Sequence, residues 1–435
     1  MDPFGFVEPV DLQYWHVVSV LVALVLSGVV VLTYNRIQHS NLAAAPPEFF
    51  SFQKRYLCVY LLCTFSDWLK GPYVYALYEQ YGFSQLHIAW LFIGGFLSSL
   101  VFGTVVGSMS DSVGRKTMCL VYCGTYAFSA MTKVVNNFWV LFLGRVLGGI
   151  ATSLLCTCFE SWMVAEHRAK GFPDALLTNT FSKSTAGNGI VAIVAGIVAQ
   201  VAATCCGFVA PFLVAIPCLA LASLLMMKWD ENYGCATIKW METVRKGFDA
   251  IRREQKLQAL GICQSLFEGC LFVWVFYWTP CLSSVDQRQQ IPIGLVFSCF
   301  MASLMVGGVL TETIPIGTSP LIAHLVSVGA MILAAVTHDN KLIVFLAFVV
   351  FEGVAGLYFG AHGTLRSAHI EETSRSAVMN MFRVPLNIFV IVFLQYSVAH
   401  RNVMAWLAVF HAASLLGYLS FLSVVKNGAK GYIQP

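Results

Sequence analysis

The chain has 435 residues, 58% of them apolar and only 11% charged, against about 25% charged in an ordinary soluble domain. Each helical membrane crossing needs roughly 20 apolar residues, so this composition excludes a soluble enzyme, and the longest hydrophilic stretch, residues 229–256, is too short to fold alone. The net charge of +4 comes with no long basic block and no basic–aromatic alternation, which excludes a nucleic-acid partner.

In chain order, apolar runs fall at 17–34, 56–78, 86–108, 117–135, 138–165, 177–203, 208–228, 257–280, 292–311, 319–337, 342–364, 376–399 and 402–425. Each reads as a membrane helix. Asp2, Glu8 and Asp11 precede the first run and no Lys or Arg comes before Arg36. That is unlike the basic start of a signal peptide, so the first run is expected to stay as an extra crossing. The organisation expected is an extra helix and linker over 1–54, a six-helix bundle over 55–228, a cytoplasmic linker over 229–256, a second six-helix bundle over 257–425, and a tail over 426–435. Eighteen loop Lys and Arg, Arg366 among them, fall on one side and four, Lys133 among them, on the other. This bias places the N-terminus outside and the C-terminus in the cytoplasm. In the linker, Trp240, Val244, Phe248 and Ile251 recur at helical spacing among Lys239, Arg245, Lys246, Arg252 and Arg253. The pattern suits either a basic amphipathic helix on the inner leaflet or a solvated connector. The 14 cysteines lie scattered through apolar runs and read as small core residues.

One loop has a recognisable design. Between the second and third helices of the first bundle stands Gly107-Ser-Met-Ser-Asp111-Ser-Val-Gly114-Arg115-Lys116. Gly107 allows close helix approach, Asp111 can cap or pair at a helix end, Gly114 permits the reversal, and Arg115 and Lys116 hold the loop in the cytoplasm. The pattern G-x-x-x-D-x-x-G-R-K resembles the signature loop of the major facilitator superfamily. The resemblance implies an all-α fold of two six-helix lobes with parallel pseudo-symmetry, and transport by alternating access. The corresponding loop of the second half, Gly308 to Ser319, lacks the basic residues.

A charge at the centre of a membrane helix costs about 2.5–3.5 kcal/mol on insertion scales, so each should face a cavity or a partner. Such residues are Asp67 and Lys70 in the first core run, Arg145 and Glu160 in the fourth, Lys183 in the fifth, Glu268 in the seventh, Glu352 in the tenth and Arg383 in the eleventh. Their placement repeats between halves: Asp67 with Glu268, Phe159-Glu160 with Phe351-Glu352, Lys183 with Arg383. Two readings stay open. Lys183 and Arg383, one per half, could hold a divalent oxyanion, Arg383 with a planar fork and Lys183 as a point charge. Alternatively they neutralise nearby glutamates in paired buried charges. Asn188 and Asn387 follow close after the two cations and join the candidate binding set with Lys70, which could equally pair with Asp67. Asp67, Glu160, Glu268 and Glu352 are candidates for proton coupling. Pro385, two residues after Arg383, breaks an intrahelical hydrogen bond, and Pro72 and Pro280 form a mated pair late in their runs. His87, His167 and His362 are given no role. No metal-ligand cluster, nucleophile elbow or phosphate loop stands in a credible context, so neither enzymatic activity nor a cofactor is expected.

Several strings narrow the resemblance: Asp67-Trp68-Leu69-Lys70-Gly71-Pro72-Tyr73, Phe159-Glu160-Ser161-Trp162, Trp278-Thr279-Pro280, Gly356-Leu357-Tyr358-Phe359 and Phe382-Arg383-Val384-Pro385-Leu386. Together with the extra N-terminal helix they resemble the molybdate-anion transporter family of that superfamily, over nearly the whole chain. The resemblance implies import of molybdate, a doubly negative tetrahedral oxyanion, with tungstate and sulfate as competitors, by a monomer in a cell membrane. The alternatives are a proton-coupled carrier of an organic solute and a non-transporting membrane sensor or scaffold.

Overall fold

The computed structural model describes residues 12–38, 46–234, 240–283, 291–371, 375–396 and 400–431, and no strand occurs among them. The helices are α1 (Tyr14–Gln38), α2 (Pro47–Trp68), α3 (Val74–Gln80), α4 (Gln85–Val113), α5 (Arg115–Met131), α6 (Phe138–Ala169), α7 (Asp174–Cys206), α8 (Ala210–Met226), α9 (Trp240–Arg253), α10 (Gln255–Leu282), α11 (Ile293–Leu310), α12 (Ser319–Val336), α13 (Lys341–His369), α14 (Arg375–Gln395) and α15 (His400–Gly431). Each of the thirteen apolar runs coincides with helix over most of its described residues, 397–399 lying outside them. Eight helices are long and apolar enough to cross a membrane, and α1, α8 and α14 hold shorter apolar segments. One run is split: the 56–78 segment leaves α2 at Trp68, turns through residues 69–73 and resumes as α3. Pro72, which has no N–H to donate, lies in that break. Its expected mate Pro280 lies inside the unbroken α10.

Local sequence explains the ends. Asn137 caps α6 by accepting from the backbone N–H groups of Trp139 and Val140 at 3.0 and 3.3 Å, and Asn340 caps α13 through Ile343 N–H at 3.1 Å. In α2 the buried residues Phe49, Phe52, Gln53, Tyr56, Val59, Cys63 and Ser66 recur at three- and four-residue spacing, the stripe of a helix packed on one face.

The chain divides into two compact units, Asn35–Arg245 and Met1–Tyr34 with Lys246–Pro435. The extra helix α1 therefore goes with the C-terminal half of the sequence. It lies against α11, where the Cys299 thiol donates to the Val17 carbonyl at 3.4 Å and Gly28 faces Met305.

The same joint recurs in each unit. Where α4 crosses α6, a Cβ on Gly149 would strike Ser98 and the Gly95 carbonyl, and Ser98 donates to the Val146 carbonyl at 2.9 Å. Where α11 crosses α13, a Cβ on Gly307 would strike the Gly353 carbonyl and one on Gly356 the Leu304 carbonyl, while Ser303 donates to the Val349 carbonyl at 2.6 Å. Helices in lipid gain no hydrophobic drive from meeting one another, so close backbone approach through small residues supplies the attraction. Gly307→Val should therefore abolish recovery of folded protein by size-exclusion chromatography. Gly329→Ala, with nothing within 4 Å of its Cβ, should be tolerated and gain up to about 1 kcal/mol from helix propensity. Equal recovery of both variants would refute the glycine joint.

Candidate functional site

In the unit Asn35–Arg245, α2 and α7 bring Gln53 and Lys183 together. The Lys183 amine donates to Gln53 Oε1 at 2.7 Å, and Gln53 Nε2 donates in turn to Asn179 Oδ1 and Thr180 Oγ1, both at 3.0 Å. Gln53 is buried, whereas Lys183 is exposed on a helix that is apolar over most of its length. Among the described residues no carboxylate lies within 4 Å of the Lys183 amine. The amine is thus positioned by a neutral amide and lies over the Phe50 ring at 6.0 Å, with no described carboxylate as partner. One turn on, Asn188 Oδ1 accepts from Trp68 Nε1 at 2.9 Å, fixing the end of α2 to α7.

Asp67 and Lys70 share Tyr126 of α5. The Tyr126 hydroxyl donates to Asp67, the Lys70 amine sits over the Tyr126 ring, and it also donates to the Tyr126 carbonyl at 3.4 Å. Lys70 is only 6% exposed, so its charge is spent inside the unit. Glu160, in contrast, is exposed on α6. Its neighbour Trp162 faces inward, stacked on Trp229 at 3.7 Å and donating to the Asp230 carbonyl at 2.9 Å. Two further cations are engaged within this unit. Lys133 is buried with its amine on the Tyr78 hydroxyl at 2.8 Å. Arg145 donates to the Leu91 carbonyl at 3.1 Å and lies over the Phe92 ring.

The signature loop is latched by the segment after α8. Gly114 has φ +116°, a conformation that L side chains rarely adopt, and it joins α4 directly to α5. Arg115 pairs with Asp111 through Nη2 at 2.7 Å. Glu231 then caps α5, accepting from Lys116 N–H at 2.7 Å, Thr117 N–H at 3.0 Å and the Thr117 hydroxyl at 2.6 Å; an acid there also opposes the positive end of the helix dipole. The Lys116 amine donates to the Trp229 carbonyl at 2.6 Å. Gly107 has only one neighbour near its Cβ position, Thr157 at 4.0 Å, so close approach is not enforced there.

In the other unit, Arg383 lies on α14 and is exposed. As with Lys183, no described carboxylate lies within 4 Å of it. Pro385 sits inside α14 without ending it. Side chains occupy the carbonyls around it: Asn387, buried, donates its amide to the Arg383 carbonyl at 2.7 Å, and Ser265 donates to the Phe382 carbonyl at 3.0 Å. Glu268 on α10 meets Arg366 of α13 at 3.5 Å, with side chains 15% and 18% exposed. Arg366 had been counted in a loop. Glu352 is 3% exposed, and no described basic side chain lies within 4 Å of it.

Of the linker residues, Lys239 lies outside the described residues. Phe248, Arg252 and Arg253 are exposed on α9, and Ile251 packs against the cluster of Leu257, Ile370, Val378 and Phe382.

Sequence comparison fits this layout. Residues 16–356 match the family model described as "Sugar-transporters, 12 TM". The chain is 34% identical to the molybdate-anion transporter of Xenopus laevis, covering 90% of each chain, and 32% identical to that of Danio rerio, covering 95% of this chain and 97% of the other. The chain belongs to the molybdate-anion transporter family of the major facilitator superfamily. Solved structures with the same fold include the nucleoside transporter NupG, at TM-score 0.65, 15% identity and coverage of 86% and 98%, and a D-xylose-proton symporter, at TM-score 0.65, 13% identity and coverage of 86% and 97%. At such low identity the likeness speaks to fold alone. This is a multi-pass membrane protein, and the family is one of transporters.

The Glu268–Arg366 pair gives a direct check on the sorting of charges. Arg366→Gln leaves a carboxylate unpaired in a mostly buried site and should cost roughly 3 kcal/mol in unfolding of detergent-purified protein, while Glu268→Gln combined with Arg366→Gln should recover most of the loss. Additive losses in the double variant would show that the pair does not hold the unit together.

Proposed function

We propose that this chain carries molybdate across a cell membrane by alternating access, and that Lys183 and Arg383 are the residues that meet the anion. The observation that carries the proposal is that Lys183 is exposed on a helix long and apolar enough to cross a membrane, Arg383 is exposed within the shorter apolar segment of α14, and neither has a described carboxylate within 4 Å. A bare cation facing hydrocarbon costs several kcal/mol, so such a side chain must border water or an anion. Each cation, in its own unit, suits a tetrahedral dianion: the Arg383 guanidinium offers two parallel donors, and the Lys183 ammonium offers compact charge. The curated relatives named for molybdate supply the substrate. Tungstate, of the same charge and shape, should compete. The proposed orientation, with the N-terminus outside and the C-terminus cytoplasmic, rests on the excess of Lys and Arg in alternate loops, and the chain acts as a carrier, not an enzyme.

Glu352 is the acid we assign to proton coupling. Buried without a described cation, it can carry charge only at high cost, so a proton is the natural partner for its loading and release. Asp67 is bound by Tyr126 and Glu268 by Arg366, which leaves Glu160 as the exposed alternative.

Uptake of labelled molybdate into proteoliposomes tests the reading. Arg383→Ala and Lys183→Ala should each lower uptake at subsaturating substrate by roughly 10–100-fold, the worth of one charge-assisted contact of about 1.5–3 kcal/mol. Arg383→Lys should recover part of it. An imposed pH gradient should stimulate wild-type flux and leave Glu352→Gln unaffected. Unaltered uptake by both alanine variants would remove the cationic role, and transport of an organic solute with none of molybdate would favour a different carrier.

A further inference from the structure

We infer that the unit containing α10 to α15 houses a buried binding site for one monovalent soft metal ion, Cu(I), formed by Cys263, His324 and His362. The three residues come from α10, α12 and α13, and each is 0% exposed. Their ligand atoms all lie within 4.8 Å of one another. Cys263 Sγ is 3.3 Å from His324 Nε2 and 3.7 Å from His362 Nε2. A metal with a sulfur bond of about 2.3 Å and nitrogen bonds of about 2.0 Å places those donors about 3.5 Å apart. The two sulfur–nitrogen separations therefore already match the edges of such a coordination polyhedron.

The surroundings favour ligation. His324 Nδ1 lies 2.6 Å from the Pro320 carbonyl. A carbonyl can only accept, so the ring proton sits on Nδ1 and Nε2 is left as an acceptor, the tautomer that second-sphere carbonyls fix in metal-bound histidines. Ser414 lies beside the cluster, its hydroxyl 3.0 Å from His324 Nε2 and donating to the Cys263 carbonyl at 2.7 Å. His362 has no hydrogen-bond partner at Nδ1, and its Nε2 has the weakly bonding sulfur at 3.7 Å. Tyr358 stacks on the His362 ring at 4.1 Å and on Phe267 at 3.7 Å, holding the imidazole in place.

Charge decides the metal. When Cu(I) binds, the Cys263 S–H bond breaks, an S–Cu bond forms and the thiol proton leaves to solvent. One positive charge replaces another, and thiolate, two neutral imidazoles and Cu(I) sum to zero. Zn(II) in the same ligands leaves a net charge of +1 in a fully buried site, which is heavily penalised. Thiolate and imidazole ligands also suit Cu(I) in softness. The closed surroundings imply loading as the unit folds and slow release afterwards.

The test is metal content of the full-length protein purified from copper-supplemented cells, with the copper absorption edge recorded on the same sample. Wild-type protein should hold about one copper per chain more than Cys263→Ser or His362→Gln, with one sulfur and two nitrogen scatterers around Cu(I). Cys270→Ser, on the same helix but outside the cluster, should match wild type. If Cys263→Ser fails to fold, His324→Gln and His362→Gln report on the same site. Copper content equal in wild type and ligand variants, or zinc in place of copper, overturns the inference.

Discussion

Hydrocarbon tolerates no bare charge, and the fate of each ionisable side chain inside this protein follows from that constraint. Apart from Glu352, which is buried with no described basic side chain within 4 Å, the residues divide into two groups. Asp67, Lys70, Lys133, Arg145, Glu268 and Arg366 are satisfied within their own unit, by Tyr126, by Tyr78, by the Leu91 carbonyl with the Phe92 ring, and by each other. Lys183, Arg383 and Glu160 are exposed on membrane helices, and of these Lys183 is steadied by the neutral Gln53. The first group is architecture. On the proposed reading, the second is where a charged solute is met, without breaking a pair on which the fold depends. Positioning a cation with an amide in place of a carboxylate keeps its charge available while restricting its motion.

The architecture that holds these positions is made of small residues and borrowed caps. Glycines at the α4–α6 and α11–α13 crossings bring backbones into contact, so the helices on which Glu160 and Glu352 ride are fixed rigidly within their units. The signature loop is held differently. Its basic residues are engaged by Asp111 and by the carbonyl of Trp229, and the N-terminus of α5 is capped by Glu231. Any rearrangement of that loop must disturb the segment 229–234, which ties the loop to the chain leading out of the first bundle.

Much of this was legible in the sequence, because hydropathy is read locally. The thirteen apolar runs, the reversal at Gly114 and a capping or pairing role for Asp111 all depend on residues within a few positions of one another. The split at residues 69–73 was not anticipated, since an apolar run with one proline reads as a single helix. Partners distant in sequence were missed for the same reason. Arg366 and Lys133 lie near the ends of apolar runs and were assigned to water, yet both turn inward to groups far away along the chain. Gln53 and Glu231 gave no signal, being ordinary polar residues until the fold places Lys183 and α5 beside them. The cluster of Cys263, His324 and His362 spans three helices, and no spacing rule reaches across that distance. The repeat of charges between halves was visible, but its meaning was not: Asp67 ends on a tyrosine whereas its mate Glu268 ends on an arginine.

The account turns on Lys183 and Arg383 being available to an anion and unneeded for folding. Its most direct test is the unfolding temperature of purified protein with and without molybdate. A ligand that binds only the folded state at 100 times its Kd stabilises it by about 2.7 kcal/mol. Wild type should therefore gain a clear upward shift, whereas Lys183→Gln and Arg383→Gln should start from the wild-type temperature and gain at most about half as much. Variants that melt early without molybdate, or that gain as much from it as wild type, would contradict the assignment.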